Sequence, residues 1–347
     1  MKLEGHDREF TVIGENIHTT RVYLRRGVHI TTSPDDIEAV RFENADGVER
    51  FLPISEEVRN SQDFEEGRVK HVKVAVQAAM GADTELAALG NEYLEAQIQR
   101  QIARGADFLD LNVDEISLEE TEQQKAMEWL VGFVQERSSV PLCIDSSNSH
   151  TIETGLKSCD NRAGRAMLNS ASLERIGALD LVGKYDSSVI VSAAGESGMP
   201  QNAEERVANA SQITDAAIDK GIALPDIYID PLMFPISVDQ QYGNHVFDAI
   251  RQLRDKYGPE IRITGGFSNV SFGLPCRKLI NDVFTVLAIE AGADSGIVDP
   301  VANDLARVFT LDRSSAAWEH ARALLVGEDP DCMMYLMGFR QELFADH

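Results

Sequence analysis

The sequence predicts an α/β fold, a closed (β/α)8 barrel of the TIM type, on three observations. Eight short apolar segments with β-strand character recur along the 347 residues. Helix-length segments with apolar residues three and four positions apart separate most of them, and polar residues follow the strands. Continuous apolar strands that alternate with helices indicate a parallel sheet that is buried on both faces, and eight such units fill a barrel.

Each predicted strand is a short run of mostly apolar residues. The eight runs are Phe10–Glu15, Phe108–Val113, Leu142–Asp145, Ala166–Ser170, Ser188–Ala194, Ile227–Pro231, Arg262–Asn269 and Ser295–Pro300. The predicted helices between them include segments 92–106, 125–138, 176–186, 203–221 and 279–293. An open doubly wound sheet is the alternative, but it would require a glycine-rich phosphate-binding turn after an early strand. Neither TVIGENIH nor LNVDEIS supplies such a turn.

Two segments extend the barrel pattern within what we expect to be a single domain, residues 1–347. Residues 19–81 are long for a first βα connection, and their alternating residues around Asn44-Ala45-Asp46-Gly47 predict a β-hairpin insertion after strand 1. This insertion would lie on the active face, either as a lid or docking element or as a hairpin that is decorative or makes a dimer contact. Residues 302–347 predict a C-terminal helical extension, whose Met333–Met337 run is typical of core or dimer contacts.

Composition excludes several classes of function. Acidic residues outnumber basic ones by 57 to 32, a net charge of −25, which disfavours binding to nucleic acid or to an anionic membrane surface. The four cysteines lack metal-ligand spacing, so we expect reduced thiols, a cytoplasmic location and no metal site. We also expect no signal peptide and no membrane span, since no run approaches 18 apolar residues.

Carboxylates and amides recur where the predicted strands end. The set consists of Glu15, Asn16, Asp110, Asn112, Asp145, Asn148, Asn169, Asp230, Asn269 and Asp299. Any one of them could cap a helix or a turn. As a ring, without a lysine at a strand end, they suit a neutral heterocycle edged with N–H donors and a carbonyl. A carboxylate accepts two parallel hydrogen bonds from an aminopyrimidinone edge, and an amide both donates and accepts.

Six segments resemble, in order, the motifs of the pterin-binding methyltransferases. They are VIGENIH, DLNVDE, CIDSSN, AMLNSAS, YIDPL and GGFSNVSFGLPCR, and AIEAGADSGIVDP follows the last. This family comprises the methyltetrahydrofolate:corrinoid protein methyltransferases and the folate module of cobalamin-dependent methionine synthase. The likeness runs from about Val12 to Pro300 and implies a dihydropteroate synthase-like barrel that binds the pterin of tetrahydrofolate.

The resemblance also implies roles for individual residues. Asp145, Asn169 and Asp230 would hold the pterin ring. Asn269 would reach N5 and act as a catalytic residue together with Asp145. The remaining residues expected to contact folate are Arg277, near the p-aminobenzoyl-glutamate part, and Ser268, Phe272 and Glu15. The GLPC segment departs from the family's usual polar residues, which weakens the expectation for contacts from Phe272 onward.

The activity implied is transfer of a methyl group between N5 of tetrahydrofolate and the cobalt of a corrinoid. Both tetrahydrofolate and 5-methyltetrahydrofolate are then substrates. The family's cobalamin-binding signature, D-x-H-x-x-G, is absent, so we expect the cobalamin to arrive on a separate corrinoid-binding protein or as free cobalamin. We also expect this chain to form a homodimer. The alternatives are a dihydropteroate synthase-like pterin enzyme and a non-catalytic folate-binding protein. An acidic strand-end ring suits a diphosphate leaving group poorly, which disfavours the first.

Overall fold

The structure is a computed structural model, and it describes residues 1–5 and 9–344. The chain divides into two compact units. The first unit contains Met1–Ile13, Arg104–Asp107 and Leu168–His347, and the second contains Gly14–Ala103 and Phe108–Met167. Within the described ranges, no helix combines the length and the apolar character that a membrane crossing requires.

Thirteen strands are present among the described residues. They are β1 Thr11–His18, β2 Val22–Leu24, β3 Ile30–Thr32, β4 Glu38–Glu43, β5 Glu49–Pro53, β6 Arg68–Lys70, β7 Phe108–Asn112, β8 Leu142–Asp145, β9 Met167–Ala171, β10 Ser188–Ser192, β11 Ile227–Asp230, β12 Arg262–Ile263 and β13 Ser295–Val298.

Twelve α-helices accompany these strands in the same described part of the chain. They are α1 Glu56–Arg59, α2 Gln62–Glu65, α3 His71–Met80, α4 Thr84–Ala103, α5 Glu120–Gln135, α6 Ser149–Ser158, α7 Leu179–Tyr185, α8 Ala203–Asp219, α9 Tyr242–Tyr257, α10 Arg277–Ala291, α11 Ala316–Leu325 and α12 Met333–Arg340. Within the predicted C-terminal helical extension, residues 305–310 form a 3-10 helix.

Eight of the strands form one parallel sheet in the order β12-β11-β10-β9-β8-β7-β1-β13. The two end strands approach each other through a parallel bridge between Gly266 and Ile297, where the Ile297 N–H donates to the carbonyl of Gly265 at 2.9 Å. The sheet is therefore a nearly closed barrel, which confirms the predicted fold class. Its strands are buried, as the continuous apolar runs require.

In the second unit, strand register places polar residues side by side. Strands β7 and β8 pair in parallel, with Leu109 opposite Leu142 and Asn112 opposite Asp145. Helix α6 packs closely on β8 because Gly155 has no side chain. A Cβ atom there would lie 2.5 Å from the Cγ2 atom of Ile144. Apart from the half-buried Phe108, the apolar residues of these strands are buried, and a polar residue occupies the last position of each strand.

In the first unit, β10 and β11 pair in parallel with Ser192 opposite Asp230. The prediction of a strand over Arg262–Asn269 is wrong beyond Ile263. Gly265 has a φ of +154°, and a Cβ atom at this position would lie 2.2 Å from the sulfur of Met233. The chain therefore leaves the strand and forms a 3-10 helix, Phe267–Ser271, which carries Asn269.

The insertion contains the predicted hairpin. Strands β3, β4 and β5 form an antiparallel sheet in which Glu43 pairs with Glu49. The connecting turn is closed by the side chain of Asn44, whose Oδ1 accepts from the N–H groups of Asp46 and Val48, and Gly47 adopts a φ of 76°. The turn residues that predicted the hairpin thus also form it.

Candidate active site

In the second unit, three polar side chains meet at the ends of neighbouring strands. His18 is the last residue of β1, Asp110 lies in β7, and Asp145 is the last residue of β8. The Nε2 atom of His18 lies 3.1 Å from Oδ2 of Asp110, and the Asp110 side chain is only 1% exposed. One nitrogen or oxygen atom from each of the three side chains lies within 4.8 Å of those of the other two.

Neighbouring residues of the same unit orient this cluster. The Nδ2 group of Asn112 donates to Oδ2 of Asp145 at 2.9 Å. Beside it, the Ser146 hydroxyl and the Ser147 N–H donate to the two carboxylate oxygens of Asp114. Because each donor comes from the same or an adjacent strand end, the parallel register itself brings these groups together.

Burial and mutual repulsion change the acidity of the cluster. Burial raises the pKa of Asp145, and the nearby Asp110 carboxylate raises it further, while His18 and the Asn112 hydrogen bond oppose the shift. Burial also disfavours protonation of His18, but Asp110, Asp145 and Glu15 outweigh it, so the pKa of His18 is raised. The cluster therefore exchanges protons near neutral pH, which a solvated aspartate does not do.

An imidazole and two carboxylates at this spacing could also hold a divalent cation. The hydrogen bonds from His18 and Asn112 account for the arrangement without one. The expectation of no metal site stays a prediction. Glu15, also expected to bind folate, is 9% exposed and accepts from the Arg21 guanidinium at 3.2 Å.

In the first unit, Asp230 ends β11 and is held by the chain that follows. Its Oδ1 accepts from the N–H of Leu232 at 2.8 Å. Burial raises the pKa of Asp230 to about 6, although this hydrogen bond and the positive charge of Arg206 lower it. The carboxylate is thus ionised at neutral pH at a cost in stability, which suits a group that awaits hydrogen-bond donors from a ligand.

Arg206 is a residue that the sequence analysis missed. It lies in α8 with 0% exposure, and it donates to the carbonyls of Leu232 and Asn202 at 3.3 and 3.1 Å. Its guanidinium lies over the rings of Phe234 and Tyr242, at 4.9 and 5.6 Å. Among the residues described here, its Nη2 atom has no hydrogen-bond partner. A buried cation without a carboxylate at contact distance is unusual, and its field acts on Asp230.

Asn269 belongs to the 3-10 helix that replaces the end of the predicted strand. Its N–H donates to Gly266, and its carbonyl accepts from Phe272. Arg277 stabilises this turn: its Nη2 donates to the carbonyl of Ser268 at 2.8 Å, and its Nε donates to the hydroxyl of Ser271 at 2.9 Å. The guanidinium also lies 4.4 Å from the centre of the Phe272 ring.

The predicted site residues thus fall into two sets, and they lie within strands, at the carboxyl ends of strands or just beyond them. Glu15 and Asp145 belong to the second unit. Asn169, Asp230, Ser268, Asn269, Phe272 and Arg277 belong to the first. Two other strand-end residues act locally: Asn148 caps α6, and Asp299 accepts from the N–H groups of Val301 and Ala302. For these two, the capping alternative is confirmed.

The fold and these sets define an enzyme built on a barrel with carboxylates and amides at its strand ends. The sequence profile of the pterin-binding enzymes matches residues 90–299, more than half of the chain. The chain belongs to this family.

Two curated relatives indicate which pterin-binding enzymes this chain resembles. The chain is 29% identical over 250 residues to the methylcorrinoid:tetrahydrofolate methyltransferase of Eubacterium limosum, covering 70% of this chain and 84% of that protein. It is 30% identical over 213 residues to the methionine synthase of Mycobacterium tuberculosis, covering 57% of this chain and 17% of that protein.

Solved structures support the fold. The dihydropteroate synthase of Xanthomonas albilineans superposes with a TM-score of 0.51 at 20% identity, covering 70% of this chain and 88% of that one. The enzyme of Stenotrophomonas maltophilia gives a TM-score of 0.51 at 19% identity, covering 68% and 88%. At this identity the likeness concerns the barrel alone.

Proposed function

We propose that this protein transfers a methyl group between N5 of tetrahydrofolate and the cobalt of a corrinoid carried by a separate protein. The observation that carries the proposal is the Asn269 amide, which lies on a turn that Arg277 stabilises. A relative of similar length is a methylcorrinoid:tetrahydrofolate methyltransferase. The dihydropteroate synthases share the barrel at 20% identity or less, so they give the competing activity less support.

The reaction requires a group that follows charge at N5. Towards tetrahydrofolate, the N5 lone pair forms the new N–C bond, the methyl–cobalt bond breaks with its electron pair left on cobalt, and the N5 proton is released. In reverse, N5 is a poor leaving group unless a proton or a hydrogen bond stabilises it. An amide such as Asn269 can accept from N5–H or donate to the lone pair by rotating its head group, so it serves both directions.

The other residues supply binding and orientation. Asp230 and Asp145 accept hydrogen bonds from N–H groups of the pterin edge, and Asn169 donates and accepts at the same ring. Asp145 also participates in proton exchange, which its raised pKa supports. Arg277, Ser268, Phe272 and Glu15 make further contacts with the folate. When bound to its carrier, the corrinoid supplies or takes up the methyl group, and the protein supplies orientation and electrostatics.

The assembly and the location are part of the same proposal. A corrinoid-binding protein is the partner, because the cobalt that gives or takes the methyl group must approach N5 from outside this chain. Exposed apolar side chains on α12, namely Met333, Met334, Met337 and Phe339, provide a surface suited to a homodimer contact. Four free cysteines and an acidic composition suit the reducing cytoplasm.

The direct experiment follows the cobalamin absorbance spectrum after the protein is mixed with methylcobalamin and tetrahydrofolate under anaerobic, reducing conditions. We expect loss of the methylcobalamin spectrum with stoichiometric formation of 5-methyltetrahydrofolate. Reactions without protein and reactions without folate are the controls. Tight folate binding without any demethylation, also with a co-purified corrinoid protein, would identify a folate-binding protein and contradict the proposal.

A further inference from the structure

The C-terminal helix α12 contacts the segment that precedes Arg277, although about 60 residues of chain separate them. Tyr335 of α12 is fully buried, and its hydroxyl lies 3.3 and 3.1 Å from the carbonyl oxygens of Pro275 and Cys276. Both acceptors belong to the last two residues before α10. All three residues lie in the first unit, within one compact body.

The contacted turn has a conformation that needs support. Cys276 adopts a left-handed backbone with φ 48° and ψ 47°, and it precedes α10 without a side-chain hydrogen bond that would cap the helix. A non-glycine residue in this region costs free energy and persists where surrounding contacts fix it. The Tyr335 hydroxyl binds the carbonyl of this very residue.

The turn at Cys276 sets the direction of Arg277, the first residue of α10. The Arg277 guanidinium in turn bonds to the carbonyl of Ser268 and the hydroxyl of Ser271, on either side of Asn269. A continuous series of contacts therefore runs from the Tyr335 hydroxyl through Cys276 and Arg277 to the 3-10 helix that presents the Asn269 amide.

Helix α12 itself is fixed at its start. The buried carboxylate of Asp329 accepts from the N–H groups of Met334 and Tyr335, at 2.7 and 2.8 Å. The ring of Tyr335 also packs against Phe344, with 4.9 Å between ring centres. A carboxylate at the first turn of a helix is favourable, and a packed ring limits the movement of the hydroxyl. The Tyr335 hydroxyl is therefore a rigid donor rather than a casual contact.

We propose that Tyr335 is a positioning residue: its hydroxyl fixes the Pro275–Cys276 turn and so holds the Asn269 turn in place for reaction at N5. This inference rests on the proposed function for the role of Asn269. The mechanical part, that the C-terminal segment orders residues 265–277, can be measured without any activity. The C-terminal extension then completes the active site rather than only extending the barrel.

The test compares Tyr335→Phe with Tyr257→Phe by hydrogen–deuterium exchange and by kinetics. Both changes remove only a hydroxyl, but Tyr257 bonds to Ser211 and Asp215, which are not part of this loop. In Tyr335→Phe we expect amide exchange in peptides covering residues 265–277 to accelerate roughly threefold to tenfold, the factor for one lost net hydrogen bond. In Tyr257→Phe we expect no change in those peptides.

For catalysis we expect kcat of Tyr335→Phe to fall by a similar factor. Tetrahydrofolate affinity should fall less than kcat, because only the contacts made by residues 265–277 lose support and the pterin-binding carboxylates are untouched. Unchanged exchange at 265–277 would overturn the inference, and so would equal acceleration in every peptide, which indicates a general loss of stability. If the wild-type protein transferred no methyl group while exchange responded as expected, the proposed function would fail and the ordering role would stand.

Discussion

The two sets of candidate site residues are built differently. In the second unit, His18, Asp110 and Asp145 lie at the ends of strands, and the side chains that orient them come from the same or neighbouring strands. In the first unit, Asn269 lies beyond the end of its strand, and Asp230 has the buried Arg206 nearby. The contacts that support these two residues come from helices α8, α10 and α12.

The two units therefore differ in which contacts fix the positions of their candidate site residues. In the second unit, strand register alone places His18, Asp110 and Asp145, so a local substitution there changes charge more than position. The set in the first unit depends on side chains from helices, such as Arg206, Arg277 and Tyr335. Substitutions remote from the substrate should therefore change catalysis more when they affect the residues of the first unit than when they affect those of the second unit.

The largest effect is expected for Asn269→Ala. Removal of the amide deletes the group that stabilises charge at N5, and one such donor is typically worth ~10²–10³ in rate. Single-turnover methyl transfer should fall at least about tenfold. Tetrahydrofolate binding, measured by calorimetry on the same variant, should remain detectable because the pterin-binding carboxylates are intact. Unchanged transfer would mean that the turn presents no catalytic group.

Asp230→Asn is expected to weaken tetrahydrofolate affinity by roughly tenfold or more, because a charged acceptor of two N–H groups is lost. The same change should stabilise the protein without ligand. Burial raises the pKa of Asp230 from 3.8 to about 6 on folding, so stability is lost as pH rises through this interval. Asn avoids this loss, which is at most about 3 kcal/mol above pH 6. Calorimetry and thermal denaturation at pH 7.5 measure both effects, and equal affinity would make Asp230 a structural cap.

The pH dependence of folate affinity tests the role of Arg206 in the first unit. Its charge lowers the pKa of Asp230, so removal of the charge should raise that pKa above about 6. Folate affinity should fall as pH drops through the pKa of Asp230, and in Arg206→Met this loss should begin at higher pH than in the wild type. Arg206→Lys keeps the charge and should restore the wild-type profile. Identical profiles for Met and Lys would show that Arg206 acts only through packing.

His18→Gln should have the smallest effect. Glutamine keeps a hydrogen-bonding group near Asp110 but lacks the positive charge that lowers the pKa of Asp145. The pKa of Asp145 should rise, so methyl transfer that needs the carboxylate should decline from a higher pH, with a loss of about twofold at neutral pH. The control His150→Gln removes an exposed histidine paired with Glu120, which should have no effect.

The sequence predicted the features that follow from strand and turn patterns. The apolar runs predicted the positions of the eight strands, and the Asn44–Gly47 turn predicted the hairpin. Arg206 was missed because an arginine within a helical pattern usually lies at the surface. His18 was missed because β1 continues three residues beyond the predicted end at Glu15. The position of Asn269 was wrong in detail because the strand ends at Ile263, and Gly265, which lies close to Met233 in three dimensions, turns the chain away.

The structure of the protein with tetrahydrofolate bound is the most direct test of the central claim. We expect N5 of the pteridine within hydrogen-bonding distance of the Asn269 head group, with the amino-pyrimidinone edge against aspartate side chains. Folate bound elsewhere, or an Asn269 amide turned away from N5 in every conformer, would contradict the assignment of this protein as a methyltransferase that acts through that residue.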